Sequence, residues 1–338
     1  MPSTTPKKFK QKVVTFGGGT GQFHLLSGLR DLNDSSLITA VAGNWDNGGS
    51  SGRLRTELGV LPPGDIRRCV LALMEDEKQR QVAQSLFDDR LEEVNGPMKG
   101  HSLGNLISAR LDHIFKGQDR GTNALRALFR IKANILPVSL TDLQLIAKTQ
   151  SGIVIEGETN LDFRARRADF KKEDKIIRIY FNTRADPNPK VLEAIKEADK
   201  IVFAPGDLYT SLLPHLLVDQ VAQAIIKSKA KVITVMNLMT KSGETDFYKA
   251  SDHLKALAYY LEDPKRINVM IANNNHLDPE ILKIYQQEGQ EPVELDGAEC
   301  KEVAPNIKII RTKLANYLRK DHLLRHDPTG LAQAVLTA

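Results

Sequence analysis

The sequence predicts a three-layer, Rossmann-like α/β fold with a mostly parallel sheet and a β-rich insertion. An apolar, β-branched run at residues 13–16 leads through a glycine-rich loop at 17–21 into a helical pattern of apolar residues. In the second half of the chain, apolar strand patterns alternate with helical patterns, and each strand pattern ends in polar residues. Strands that alternate with helices form parallel sheets, and the carboxyl ends of such strands hold the ligand.

The first strand and its loop predict an anion-binding turn. Glycines allow positive φ and close approach of a ligand, and the free N–H groups at a helix start attract a phosphate. The loop lacks the G-K-[ST] ending of a P-loop, and Gln22 occurs where a dinucleotide-binding motif requires its third glycine. A tight turn without a ligand is the alternative, although four glycines in five residues exceed what a turn requires.

Two further stretches extend this pocket. A second strand at 37–41 ends in a glycine-rich loop at 43–53, and residues 62–68 add Asp65 and two arginines before an apolar helix at 70–74. Strand ends at the same edge of a parallel sheet lie side by side, so these loops are expected to face one crevice. Together they predict a nucleotide pocket.

The remaining elements follow from hydrophobic periodicity. The pattern predicts helices at 75–90, 106–115, 123–131, 190–198, 218–228 and 250–261 and after Pro328, strands at 200–204, 231–235, 266–272 and 307–310, and an extended link at 135–138.

A β-rich insertion is predicted at about 143–182. Apolar residues alternate there at 143–149, 153–155 and 176–180, which is typical of strands. Several basic residues, among them Arg164, lie between acidic ones. This mixture favours a solvated hairpin edge over a nucleic-acid surface.

Composition fits a globular protein that binds small anions. The chain has 338 residues, 41% of them hydrophobic and 26% charged, and a formal net charge of +5, which suits anionic metabolites and does not predict nucleic-acid binding. We predict a flexible basic lead-in at 1–12 and one α/β domain at 13–338.

No apolar run approaches the length of a membrane span. Cys69 and Cys300 form no C-x-x-C pair, so a reducing cytoplasm is the expected location.

The stretch at 100–104 spells G-x-S-x-G, the nucleophile motif of serine hydrolases. That motif requires a buried strand immediately before it, whereas residues 91–99 are polar and contain proline. We therefore disfavour a hydrolase and interpret His101, Ser102 and Asn105 as donors at a helix start, with a simple N-cap as the alternative.

His322 and His326 lie four residues apart, but no third zinc ligand is apparent, so we predict a surface or capping role.

Several stretches, taken in order, resemble one protein family. They are 16–21 (FGGGTG), 46–55 (DNGGSSGRLR), 62–67 (PPGDIR), 100–106 (GHSLGNL), 205–211 (PGDLYTS), 237–240 (NLMT), 243–246 (GETD) and 325–328 (RHDP). The sequence is similar to the 2-phospho-L-lactate transferases (CofD-like) and gluconeogenesis factors (YvcK-like), and is closer to the latter. The resemblance implies a CofD-like fold. This sequence departs from the family's pattern at Asn47, where relatives have a second aspartate, and at Asp207, where they have serine.

The resemblance also implies a function. Gluconeogenesis factors bind UDP-sugars such as UDP-N-acetylglucosamine and regulate carbon metabolism and cell-wall morphogenesis; the transferases move a phospholactyl group from a guanosine diphosphate conjugate to a deazaflavin. We favour the binding regulator and retain a Mg-dependent transferase as the alternative, with Asp46 and Asp65 as the metal ligands and no covalent cofactor. A nucleotide or UDP-sugar is the expected partner, and a homo-oligomer is compatible with the sequence.

The predicted site combines the loops above. Arg53 is the strongest single candidate, because a guanidinium forks onto phosphate oxygens. Asp207 is assigned to a ribose or a metal. The ligand-binding candidates are Gly17, Gly18, Gly19, Thr20, Gly21, Asp46, Asn47, Gly49, Ser50, Ser51, Gly52, Arg53, Asp65, Arg67, His101, Ser102, Asn105, Gly206, Asp207, Ser211, Asn237 and Thr240.

Overall fold

A computed structural model describes residues 8–318 and 323–338. Within these ranges the strands are β1 (Val13–Gly17), β2 (Ile38–Ala42), β3 (Asn134–Pro137), β4 (Leu145–Thr149), β5 (Val154–Glu156), β6 (Ile176–Phe181), β7 (Lys200–Phe203), β8 (Lys231–Val235), β9 (Val269–Asn273), β10 (Lys308–Thr312), β11 (Ala315–Leu318) and β12 (Leu323–His326).

Helices lie between most of these strands. They are α1 (Gly19–Leu32), α2 (Gly49–Leu58), α3 (Gly64–Leu73), α4 (Glu77–Asp88), α5 (Leu103–Ile114), α6 (Gln118–Leu128), α7 (Glu158–Asp162), α8 (Pro189–Glu197), α9 (Val221–Lys227), α10 (Ala250–Leu261), α11 (Pro279–Gln287), α12 (Gly297–Val303) and α13 (Pro328–Thr337). A π-helical turn occupies Leu208–Leu212. None of the described helices is both long and apolar enough to cross a bilayer.

The main sheet has seven parallel strands in the order β10-β9-β8-β7-β1-β2-β3. Alternate residues of β1 enter different hydrophobic cores: Val14 and Phe16 pack in one, and Val13 packs in the other. Because side chains alternate across a strand, the two cores lie on opposite faces of the sheet. Helices cover both faces, as in other parallel sheets. The predicted three-layer α/β fold is confirmed.

The chain runs outward from the centre of the sheet in both directions. From β1 it continues to β2 and β3 on one side, and from β7 to β8, β9 and β10 on the other. The point where the direction changes therefore lies between β1 and β7, which is where open α/β sheets place their ligands. The start of α1 and the loop after β7 approach so closely here that a β-carbon at Gly21 would overlap the carbonyl oxygen of Pro205.

Two smaller sheets accompany the main one. Strands β4, β5 and β6 form an antiparallel sheet in the order β5-β4-β6, within the segment predicted to be a β-rich insertion. Strands β11 and β12 form a separate antiparallel pair. A third hydrophobic cluster, with Leu238, Met239, Tyr285 and Leu324 at its centre, joins this pair to α11.

Three sequence predictions were wrong. The extended link at 135–138 is instead β3, which pairs in parallel with β2 and forms one edge of the main sheet. Arg164 is buried, donates to the carbonyl oxygen of Gly243 at 3.0 Å and pairs with Asp174 at 3.2 Å, so it does not belong to a solvated edge. His326 is also buried, with Nε2 3.1 Å from the carbonyl oxygen of Met236, whereas His322 lies outside the described residues.

The predicted lead-in at 1–12 is described only from residue 8 onward. In that part, the N–H of Phe9 donates to the carbonyl oxygen of Leu32 at 2.8 Å, and Lys8 Nζ donates to the carbonyl oxygen of Arg30 at 2.7 Å. These bonds place residues 8 and 9 against the end of α1.

Candidate functional site

A cleft of about 730 Å³ lies over the carboxyl ends of the central strands. Its walls include the loops that follow β1, β2, β7 and β8, and α11 and β12 line one end. The crevice predicted from the glycine loops therefore coincides with the point where the chain direction changes.

Two helix starts that face this cleft are capped by carboxylates of the protein itself. At the start of α1, the N–H of Gly19 donates to Asp65 Oδ1 at 2.8 Å. At the π-helical turn, the N–H of Tyr209 donates to Glu244 Oε2 at 2.9 Å, and Thr210 Oγ1 donates to Glu244 Oε1 at 2.9 Å. Asp65 and Glu244 therefore occupy positions where the helix starts would attract an external anion.

The start of α2 is open by comparison. Its N-cap, Gly48, provides no side-chain cap, and its first turn carries no acidic residue. In the described part of the chain, no acceptor is found for the N–H groups of Gly49, Ser50 and Ser51. All three residues line the cleft, so this helix start presents several unsatisfied donors to a bound anion.

The local sequence explains how this loop holds its shape. Asp46 Oδ1 accepts from the N–H of Gly48 at 2.8 Å. A β-carbon at Gly52 would overlap the backbone of Asn47, so only glycine allows the helix to begin this tightly. Asn47 itself turns away from the cleft, and its Oδ1 accepts from the N–H of Thr159 at 2.9 Å.

The floor of the cleft beside α2 is acidic. Burial, together with the neighbouring Asp46 carboxylate, raises the pKa of Asp65 to about 6 against the opposing bond from Gly19. Burial, together with Asp46, Asp162 and Asp65, raises the pKa of Glu158 to about 9. Like charges that share a site disfavour ionisation of one another, and a cation bound here would relieve that repulsion.

A second acidic group lies toward β7 and β8. Carboxylate oxygens of Asp162, Asp207 and Glu244 lie within 4.8 Å of one another. Lys241 Nζ lies 2.8 Å from Asp162 and 3.4 Å from Asp207, so an ammonium group of the protein already compensates part of their charge. Asp207 therefore forms an ion pair with Lys241.

The structure changes the assignment of the arginines. Arg53 is exposed and does not line the cleft; it donates to the carbonyl oxygen of Lys99 at 2.6 Å. Arg67 lines the cleft, but it pairs with Asp88 and donates to the carbonyl oxygen of Phe87. Arg68 lines the cleft and donates to Thr20 Oγ1 at 2.9 Å. Arg68 thus connects the cleft wall to the first glycine loop.

The stretch at 101–105 supports α2 and does not form a nucleophile elbow. Ser102 caps α5 by accepting from the N–H of Asn105 at 3.2 Å, and no strand lies immediately before it.

His101 and Asn105 contact the first turn of α2. His101 Nδ1 lies 3.0 Å from Ser50 Oγ, and burial together with Arg53 lowers the pKa of His101. Asn105 Nδ2 donates to Ser51 Oγ at 3.4 Å, whereas its buried Oδ1 has no partner among the described residues. Asn105 lines the cleft, but its unpartnered Oδ1 is itself buried.

Two further candidates have structural partners. The side chain of Asn237 bridges β7 and β8, because its Oδ1 accepts from the N–H of Gly206 at 3.0 Å and its Nδ2 donates to the carbonyl oxygen of Gly206 at 2.8 Å. Thr240 Oγ1 accepts from the N–H of Glu291 at 2.9 Å. Both residues line the cleft while holding its wall together.

Most of the predicted residues meet at the cleft. Those that line it are Gly18, Gly19, Thr20, Gly21, Asp46, Gly49, Ser50, Ser51, Asp65, Arg67, Asn105, Gly206, Asp207, Ser211, Asn237 and Thr240. Those that lie behind or beside its lining are Gly17, Asn47, Gly52, Arg53, His101 and Ser102.

The predicted site residues do not include seven charged residues of the cleft wall: Arg68, Arg90, Glu158, Asp162, Lys241, Glu288 and Arg325. Arg68 and Arg325 lie in or beside stretches that the sequence had already drawn attention to. Glu158 and Asp162 lie in the insertion on α7, and no local pattern distinguishes them from surface acids.

Comparisons with known proteins agree on one family. The family model of the 2-phospho-L-lactate transferase CofD matches residues 13–315. A putative gluconeogenesis factor of Thermotoga maritima is 41% identical over 326 residues, covering 96% of this chain and 98% of that protein. The gluconeogenesis factor of Bacillus subtilis is 35% identical over 328 residues, covering 97% and 98%. A crystal structure of a Bacillus halodurans protein of the UPF0052 family has a TM-score of 0.86 at 34% identity, covering 97% and 100%.

Proposed function

Since this chain belongs to the CofD family and its relatives include the gluconeogenesis factors, we propose that it binds a nucleoside diphosphate sugar, with a UDP-sugar such as UDP-N-acetylglucosamine as the expected ligand. In this proposal the protein acts as a regulator of carbon metabolism and cell-wall morphogenesis. The observation that carries the proposal is the open start of α2, which lies in the same cleft as two helix starts, at α1 and at the π-helical turn, where a carboxylate accepts from a backbone N–H.

The diphosphate is assigned to the start of α2. The N–H groups of Gly49, Ser50 and Ser51 are oriented for a phosphate, and the positive end of the helix dipole favours its charge. Arg68 also lines the cleft, bonded to Thr20, and supplies a permanent positive charge with fork geometry.

Magnesium is proposed to bind with the diphosphate. Asp46 and Asp65 have carboxylate oxygens on the cleft floor, and oxygen donors are those that Mg²⁺ prefers. A bound Mg²⁺ supplies charge neutralisation between the diphosphate and these acids. Without a cation, the Asp46 and Asp65 carboxylates would repel a diphosphate placed beside them.

Calorimetric titration with UDP-N-acetylglucosamine, with and without Mg²⁺, tests the proposal. We expect Arg68→Ala to weaken binding about tenfold or more, because a charge-assisted hydrogen bond contributes about 1.5–3 kcal/mol. Arg53→Ala is the matched control: it removes an arginine next to the same loop but outside the cleft, and it should leave the affinity unchanged. An equal loss in both variants, or no binding by the wild-type chain, would contradict the proposal.

A transferase is the second candidate, favoured by the carboxylate pair Asp46 and Asp65 beside an anion-binding helix start. It predicts Mg²⁺-dependent consumption of a nucleoside diphosphate-linked donor when an acceptor is present. Product formation that is lost in both Asp46→Asn and Asp65→Asn would favour it. Tight binding of the UDP-sugar without turnover would favour the regulator.

A further inference from the structure

A second groove, with a volume of about 340 Å³, lies between α10 and the first residues of β6. It has no lining residue in common with the cleft. Four of the seven tyrosines in the chain line it, and we call it the tyrosine groove: Tyr209, Tyr248, Tyr259 and Tyr260. Tyrosine combines an apolar ring with a polar hydroxyl and is enriched where proteins bind other molecules. This concentration of tyrosines therefore indicates a binding surface.

The inner wall of the tyrosine groove is fixed by hydrogen bonds between separate elements. The hydroxyls of Tyr209 and Tyr248 lie 2.9 Å apart and share a hydrogen bond. The hydroxyl of Tyr260 accepts from the N–H of Ile179 at 2.8 Å. These bonds join the π-helical turn to the residues before α10, and α10 to β6. Because the wall is already positioned, a ligand that packs on it has few further groups to order.

The rim of the tyrosine groove exposes two large apolar side chains. Tyr259 is 68% exposed and Ile177 is 55% exposed. Lys148 of β4 pairs with Arg178 and the next residue pairs with Ile176, so Ile177 has no partner in β4. Such a bulge re-aims the side chain of the extra residue, and Ile177 here lines the groove. The groove is thus open along its rim, as an extended chain segment requires.

Charges at the tyrosine groove favour an acidic ligand. Two lysines and one aspartate line it, which leaves one positive charge in excess. Lys175 Nζ lies 5.5 Å from the centre of the Tyr248 ring, and within the described ranges it forms no ion pair. Lys255 Nζ lies 3.4 Å from Asp252 on the same exposed helix face. An exposed pair of this kind contributes little, so both ammonium groups are available to carboxylates of a ligand.

The size of the tyrosine groove argues against a second copy of the chain as its occupant. Nine residues line the groove, whereas a stable protein interface uses about 20–30 residues on each side. A short segment with one large apolar side chain needs no more surface than the groove offers, because a few aromatic contacts supply most of the binding energy of an interface.

We propose that the tyrosine groove binds a short acidic segment of a partner protein. One aromatic or large apolar side chain of the segment packs against Tyr248 and Tyr259, and its carboxylates pair with Lys175 and Lys255. The inference goes beyond the proposed function and does not depend on it, since the groove and the cleft are lined by different residues.

The position of the groove gives this docking a direct relation to the cleft. Tyr209 lines the groove, while the next two residues of the same π-helical turn, Thr210 and Ser211, line the cleft. A segment bound in the groove therefore lies on the other side of one turn of backbone from the cleft, which is a suitable place for the partner of a regulator.

The test uses three pools of fluorescein-labelled nine-residue peptides, followed by fluorescence anisotropy at low and at physiological salt. The first pool has a central Phe among Asp and Glu, the second has Lys in place of the acids, and the third has a central Ala among Asp and Glu. Each is titrated into the wild-type chain, Lys175→Ala and Tyr259→Ala. Lys148→Ala is the matched control, because Lys148 is an exposed lysine of the same small sheet outside the groove.

We expect only the acidic pool with Phe to bind. Tyr259→Ala should weaken it about tenfold, and Lys175→Ala should weaken it about threefold and reduce its dependence on salt. Lys148→Ala should bind as the wild type does, and all four proteins should bind UDP-N-acetylglucosamine equally.

Three results would overturn the inference: no binding of the acidic pool with Phe, equally tight binding of either other pool, or unchanged binding by Tyr259→Ala. Sedimentation that shows a wild-type dimer, dissociated by Tyr259→Ala, would assign the groove to a second copy and overturn it as well. None of these results bears on the nucleotide proposal, which fails separately if the wild-type chain does not bind the UDP-sugar.

Discussion

Asp65→Asn is expected to make the protein more stable at neutral pH while removing its response to Mg²⁺. The Asp65 carboxylate caps α1 through the N–H of Gly19, and an asparagine Oδ1 accepts the same bond. What the variant loses is the negative charge, which lies in the cleft near Asp46. Burial and that neighbour raise the pKa of Asp65 from 3.8 to about 6.

The sign and size follow from this shift. An acid whose pKa is higher in the folded than in the unfolded state lowers the free energy of unfolding as pH rises from about 4 to about 6. A difference of about 2 pKa units corresponds to about 3 kcal/mol, which the wild-type chain has lost by pH 8. Asp65→Asn should recover up to that amount at pH 8 and almost nothing at pH 4.

The assay is unfolding by heat or denaturant at pH 4, 6 and 8, with and without Mg²⁺. Glu93→Gln, which removes an exposed acid, is the control and should follow the wild-type profile. Mg²⁺ should stabilise the wild-type chain at pH 8, because a ligand that binds only the folded state raises its stability, and it should have little effect on Asp65→Asn. The reasoning is refuted if Asp65→Asn is less stable than the wild type at pH 8, or if Mg²⁺ stabilises both proteins equally.

Two further predictions concern the buried Asp112 and two glycines at the start of α1. Burial raises the pKa of Asp112 to about 7, so Asp112→Asn should abolish a loss of stability of up to about 4 kcal/mol between pH 4 and pH 7; an unchanged pH profile of unfolding would contradict this. Gly21→Ala should destabilise the fold more than Gly19→Ala, because a β-carbon at Gly21 overlaps the carbonyl oxygen of Pro205 while Gly19, at φ +59°, has open space around it. Gly19→Ala should cost about 1–2 kcal/mol, the penalty of a left-handed alanine, and equal losses in thermal unfolding would refute the comparison.

The arginines show where reasoning from sequence reached its limit. Arg53 and Arg68 both follow glycine loops that the sequence placed at the cleft, and a guanidinium at either position suits a phosphate. The structure turns Arg53 outward to the carbonyl oxygen of Lys99 and turns Arg68 to Thr20. Which face of a short helix meets the cleft depends on how that helix packs, and α2 has too few apolar residues to reveal its buried face.

The sequence by itself determined the α/β class, the glycine loops and their common edge of the sheet, because each rests on local periodicity and on the conformational freedom of glycine. Tertiary structure decided which helix start stays open. Asp65 caps a helix that begins 46 residues earlier, and Glu244 caps one that begins about 35 residues earlier. It also decided that β3 joins the main sheet and that α11 meets the β11–β12 pair over the cleft. Such contacts join residues far apart in the chain, and no local pattern records them.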